Sequence, residues 1–190
     1  MEPGFLYFLQ LGIEHICDVR AYDHMLFLLA LVAPYGISDW RVMLKLVTAF
    51  TLGHCLSLLI VGMAWLSVPA LYVEIAIVIS ILLTSLINFL VKDRSSLVWR
   101  LEYLVIFVFG IIHGAGFSSY LRSMFFDDHG IVLPLLWFNI GIEIGQLLIL
   151  SVITLLSFLV VDKLGIARLL WTRVISTLAF AISLYWLLSL

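Results

Sequence analysis

Five stretches, near 44–66, 70–91, 101–121, 133–161 and 168–190, are each long and apolar enough to cross a bilayer, and they constrain this chain more than any other feature. A crossing helix needs about 20 consecutive apolar residues. Backbone in lipid must satisfy its own hydrogen bonds, so apolar stretches of this length read as helices. Composition excludes the alternatives. The chain is 64% hydrophobic and 12% charged, against about half and a quarter in soluble domains. Too few polar side chains remain to cover a water-facing globule. Ten Lys and Arg against twelve Asp and Glu leave a net charge of -2, with no basic stripe to neutralise phosphates, which excludes a nucleic-acid binder. The expectation is an all-α polytopic transmembrane helix bundle, one integral membrane domain over 1–190.

Region 4–34 departs from this pattern. Two apolar pieces, roughly 4–17 and 24–34, are separated by Asp18, Arg20, Asp23 and His24. Each is too short to cross alone. We read a half-helix or re-entrant segment, then a first spanning helix from about 20 to 36, giving about six spans. Irregular backbone at membrane depth survives only where it lines a cavity or is buried in protein, so the interruption points to a site. The N-terminus lacks a basic region and a small-residue cleavage site and does not read as a removable signal peptide.

Cations alternate between loops. Arg41 and Lys45, then Lys92, Arg94 and Arg100, then Lys163, Arg168 and Arg173 make eight of the ten. The intervening loops are neutral (66–69) or acidic (Arg122 with Asp127 and Asp128). By the positive-inside rule both termini lie outside. Cys17 and Cys55 read as small apolar fillers, and the Phe and Trp residues mostly as lipid-facing or interfacial anchors rather than a cofactor box.

Ionisable groups within a bilayer are costly and default to a functional reading. His15 lies in the half-helix, Asp23 and His24 at the start of the first span, His54 mid-span, and Glu74 near the outer end of 70–91 with Asn88 toward its inner end. His113 lies in 101–121, and Glu143 with Asn139 and Gln146 in 133–161. By helical rise, His113 is about 12 Å deep, Glu143 about 16 Å and His54 about 18 Å. These groups can meet in one layer of the outer half. Asn139, Glu143 and Gln146 form one stripe at i, i+4, i+7. Thr51, His54 and Ser57 share a broader face, and Glu74, Ser85 and Asn88 project within about 60° of one another. Gly110 with Gly114 and Gly141 with Gly145 are small-xxx-small pairs suited to close helix packing.

Several imidazoles with carboxylates suit a borderline divalent cation such as nickel, cobalt, zinc or copper. Calcium and magnesium prefer all-oxygen cages. The expected metal residues are His15, Asp23, His24, His54, His113 and Glu143. Glu74, Asn88, Asn139 and Gln146 stand behind them or along a pathway. His129, beside Asp127 and Asp128, reads as a solvated loop residue, with a metal-collecting vestibule as the alternative.

The pieces GIEHICDVRAYDHMLFLLAL (12–31), FTLGHCLSL (50–58), VEIAIVISILLTSLIN (73–88), FGIIHGAGFSSYL (109–121) and FNIGIEIGQ (138–146) resemble, in order, the HupE/UreJ family of hydrogenase and urease accessory membrane proteins. The resemblance implies a bacterial inner-membrane nickel or cobalt permease. It maps the family's proposed metal residues onto His15, Asp23, His24, His54, His113 and Glu143. Two features depart from the family pattern. Seven residues, ICDVRAY, separate His15 from Asp23, and Ala21 stands where the family commonly has Gly. Ala tolerates a left-handed turn poorly, so helix is expected to extend further into this segment.

Two functions compete. The first is a carrier or channel for a divalent transition metal (nickel, cobalt or zinc), without a Walker motif and so driven by an ion gradient, the membrane potential or protons. The second is an intramembrane zinc-dependent hydrolase or lipid-modifying enzyme, for which H-E-x-x-H and G-x-S-x-G are both missing. A metal-storing or sensing subunit is a third reading. Transport is the reading adopted. Expected partners are the lipid bilayer and the metal ion, with a homo-oligomer left open.

Overall fold

The computed structural model describes residues 4–63, 68–90, 96–124 and 132–190, the side chains of 96–101 and 118–124 aside. Among them are seven α-helices and no strand: α1 (Phe5–Cys17), α2 (Tyr22–Val32), α3 (Trp40–Gly62), α4 (Ala70–Leu90), α5 (Ser96–Met124), α6 (Val132–Ser157) and α7 (Arg168–Ser189). A wide π-helical turn, Phe158–Lys163, continues α6. Four of these elements are long and apolar enough to cross a membrane: Ile37–Val61, Ala70–Leu90, Val132–Lys163 and Arg168–Ser189. The expected loop groups Lys92, Arg94, Asp127, Asp128 and His129 lie outside the described residues, as does the Arg122 side chain.

The interruption in the N-terminal region is real, but its second half is shorter than expected. Instead of a spanning helix from 20 to 36, α2 has 11 residues and α1 has 13. The two lie end to end along α6. Gly12 of α1 meets the Phe138 backbone and Ile16 meets Gly145. Met25 and Leu29 of α2 share an apolar groove with Leu148 and Val152, further along α6. Glycine is what permits the α1–α6 approach: a Cβ on Gly12 or Gly141 would overlap a carbonyl oxygen of the facing helix. The same device joins α3 to α5. Gly53 faces the Phe107 carbonyl, Gly110 that of Phe50 and Gly114 that of His54. Such contacts replace the hydrophobic effect, which gives helices no reason to associate inside lipid.

Asp18 makes the break. Its carboxylate accepts the Arg20 N–H at 2.9 Å and its carbonyl accepts the Ala21 N–H at 3.0 Å. This side-chain turn offers the backbone an alternative to continued helix. Ala21 has φ -87° and ψ 66°, so no left-handed residue is required, and the helix does not extend through the segment.

Residue pairings fix the directions. Residues 50–57 meet 107–114 in step, so α3 and α5 are parallel. His113 meets Ser80, and Gly116 faces Ile77 and Val73, so α4 runs against α5. Tyr22 stacks near Trp186 while Ala33 accepts from Thr172, so α7 runs against α2. We call the end where α1, α4 and α6 begin the upper end. The core is a cluster centred on Phe27, Leu28, Leu46, Phe50 and Ile81, all nearly inaccessible.

Candidate metal centre

Each histidine of the centre comes from a different helix, and His24, in the first turn of α2, is preceded there by Asp23. The others are His15 on the last turn of α1, His54 on α3 and His113 on α5. Ring centroids lie 5.0 Å apart for His15 and His24, 6.0 Å for His15 and His54, and 5.4 Å for His24 and His113. His24, His54 and His113 are 6%, 1% and 3% exposed, so the centre is closed to solvent. His15 is partly buried.

Buried polar atoms normally have partners, yet both nitrogens of His24 and His54, Nε2 of His15 and Nδ1 of His113 have no hydrogen bond among the described residues. Asp23 Oδ1 lies 3.2 Å from His24 Nδ1, close enough for an ion pair but too bent for a hydrogen bond. Ligand atoms of His15, His24 and His54 lie within 4.8 Å of one another, as do those of Asp23, His24 and His113. Nitrogen lone pairs with one carboxylate, facing each other across a few ångströms, form a donor set for a borderline divalent cation.

One ring has a fixed tautomer. Ser80 gives its own proton to the Ile77 carbonyl at 2.6 Å. Its oxygen, 3.3 Å from His113 Nε2, therefore accepts from that nitrogen. Nδ1 of His113 then carries the lone pair and has no hydrogen bond among the described residues, the arrangement by which a distal partner orients a ligating imidazole.

Aromatic rings bound the centre on both sides. Above, Phe117 and Phe138 stack at 5.2 Å and 3°, with Phe117 3.9 Å and Phe138 5.6 Å from the His15 ring. Below, Phe27 packs on Phe50 at 5.0 Å and on Phe109 at 6.1 Å, and the His113 ring rests on Phe27 and Phe50 at 5.3 and 5.1 Å. Phe27, Phe50 and Phe109 each lie one helical turn below a cage histidine: 24 and 27, 54 and 50, 113 and 109. These five are exceptions among the 13 Phe residues, most of which are expected to face lipid or the interface; their one-turn spacing from histidine is the signal in the sequence that marks three of them.

The remaining sequence-derived residues lie elsewhere. Glu143 belongs to neither close set. Its Oε1 accepts from Thr48 at 2.6 Å, and its Oε2 is buried without a partner. Gln146 Oε1 accepts from Thr51 at 2.7 Å. The seam of α3 and α6 thus carries polar pairs from the level of His54 downward. Asn139 donates to the Leu135 carbonyl, and its Oδ1 is unpartnered. Asn88 donates to the Ala30 carbonyl and to Ser176, tying α4 to α2 and α7. Glu74 is exposed on the second turn of α4, where no described neighbour covers it, although Ser85 and Asn88 of the same helix are buried.

Sequence reasoning missed a lower-end network. The Tyr35 hydroxyl donates to buried Glu102 at 2.9 Å. Arg168 donates to the Tyr35 carbonyl at 3.0 Å and to Ser157, and pairs with Asp162 at 3.4 Å.

A sequence profile described as "HupE / UreJ protein" matches residues 1–190, the whole chain. The chain matches no curated protein and no solved structure.

Proposed function

Since the chain belongs to the HupE/UreJ family over its full length, we propose that it carries a divalent transition-metal cation, nickel or cobalt, across a membrane through the histidine cage. The observation that carries this reading is the set of buried, unpartnered imidazole nitrogens beside Asp23, enclosed by rings above and below. An unpartnered buried polar atom costs stability, and a visiting cation would supply what these nitrogens lack. Enclosure on both sides suits a carrier that takes a cation from one face and releases it to the other. The α3–α6 seam, with Thr51, Gln146, Thr48 and Glu143, is the route downward.

In this proposal the chain is a single membrane domain. The broken α1–α2 element makes one crossing and α3 to α7 make five. The exposed cations Arg41, Lys45, Lys163 and Arg173 at the lower end support a cytoplasmic position for it. Both termini are then external, in a bacterial inner membrane. Glu74 takes no part in the path.

The test is purified protein in liposomes offered nickel or cobalt. Metal enters at a rate above protein-free vesicles, and His24→Ala returns it to that background. Failure to move any transition metal, together with turnover of a lipid substrate, would establish the zinc-enzyme reading instead. An apolar groove of about 230 Å³ between α3, α4 and α5, with Ser57 in its lining, is not lined by any cage histidine.

A further inference from the structure

We infer that the cage is two successive cation positions sharing His24, an inference that rests on reading the cage as a metal path. The five residues do not form one mutually close set. They form two triads, His15–His24–His54 and Asp23–His24–His113, with only His24 in common. His24 has two buried nitrogens free for this role. Nδ1 lies beside Asp23, which leaves Nε2, on the other edge of the ring, for His15 and His54. A neutral imidazole has a single lone pair, carried by one nitrogen or the other. It therefore serves one position at a time.

The two positions adjoin different ring layers, although His54 and His113 lie level on α3 and α5. We call upper the one beside Phe117 and Phe138, which touch His15 and His54, and lower the one beside Phe27 and Phe50, which touch His113; Phe50 also lies 6.2 Å from the His54 ring. They differ in chemistry. The upper triad offers three nitrogens. The lower replaces one with the Asp23 carboxylate and has an imidazole oriented by Ser80. A divalent ion is held by lone pairs alone at the first and by charge as well at the second.

Cobalt binding to the purified full-length protein in detergent, followed by its visible absorption and by X-ray absorption at the metal, tests this. His54→Ala keeps cobalt at the lower position, in mixed oxygen and nitrogen coordination. His113→Ala keeps it at the upper position, with nitrogen ligands from imidazole. His24→Ala weakens binding more than about 100-fold, beyond the usual effect of losing a supporting partner. His54→Asn and His113→Asn, which keep a polar side chain, repeat the pattern if an Ala variant fails to fold. Wild-type binding with equal loss in all three variants, or identical spectra for the His54 and His113 variants, would overturn the two positions while leaving the metal path standing. A wild-type protein that binds neither cobalt nor nickel would overturn both.

Discussion

At the lower end, Arg168 donates hydrogen bonds to Tyr35, Ser157 and Asp162, and Tyr35 donates to Glu102. Higher in the bundle, His54 buries two nitrogens with no hydrogen bond among the described residues. Both regions place polar groups inside an apolar chain, and both draw them from several helices. A satisfied network ties its elements together and is expensive to disturb. A set of unsatisfied atoms gives the fold little, which is why the proposed cation is assigned to it. Burial alone would have ranked Glu102 with His113; the state of the hydrogen bonds separates them.

The contrast makes opposite demands on function and stability. The largest effect falls in the cage. His24→Ala abolishes metal flux, a loss of more than about 100-fold in binding, read in proteoliposomes. Arg168→Ala should leave cobalt binding within a few-fold while lowering the unfolding temperature in detergent. A reversal of those two outcomes would break the comparison. Ser80→Ala comes next. It removes the acceptor of His113 Nε2–H and weakens cobalt binding by about 10–100-fold, measured by titration, with rescue by Ser80→Thr. His54→Leu sharpens the stability side. Replacing two unpartnered buried nitrogens with carbon raises stability by about 1–3 kcal/mol, checked by thermal unfolding, even as flux is lost. The smallest effect is expected for Tyr35→Phe, which strips one donor from Glu102 and costs about 1–2 kcal/mol, with flux unchanged. Across all variants that bind, cobalt affinity falls as pH falls, because protons and metal compete for the same lone pairs.

Much of this was legible in the sequence because charge in lipid is expensive. His15, Asp23, His24, His54 and His113 stood out against apolar runs, and helical rise placed several at a common depth. The two glycine pairs announced the close approaches that α5 and α6 make. Membership of the family was legible from the ordered motifs. What escaped has physical causes. Periodicity says which residues share a face but not which face is covered, so Glu74 was grouped with Asn88 although only Asn88 has neighbours over it. Glu143 shares the depth of the histidines, but its hydrogen bond goes to Thr48, a choice that depends on how α3 rotates against α6. Phenylalanine is common in every apolar helix, so the rings above and below the cage carried no compositional signal. The turn at Asp18 needed no glycine because its own carboxylate closes it.

The break between α1 and α2 has an electrostatic consequence. An unbroken helix crossing here would carry its two poles to the membrane surfaces. Interrupting it brings a negative pole, at the end of α1, and a positive pole, at the start of α2, to the depth of the cage. Asp23 sits in the first turn of α2, on the positive pole. The backbone thus sets a positive pole behind this carboxylate, and its one ion-pair neighbour among the described residues is the His24 ring.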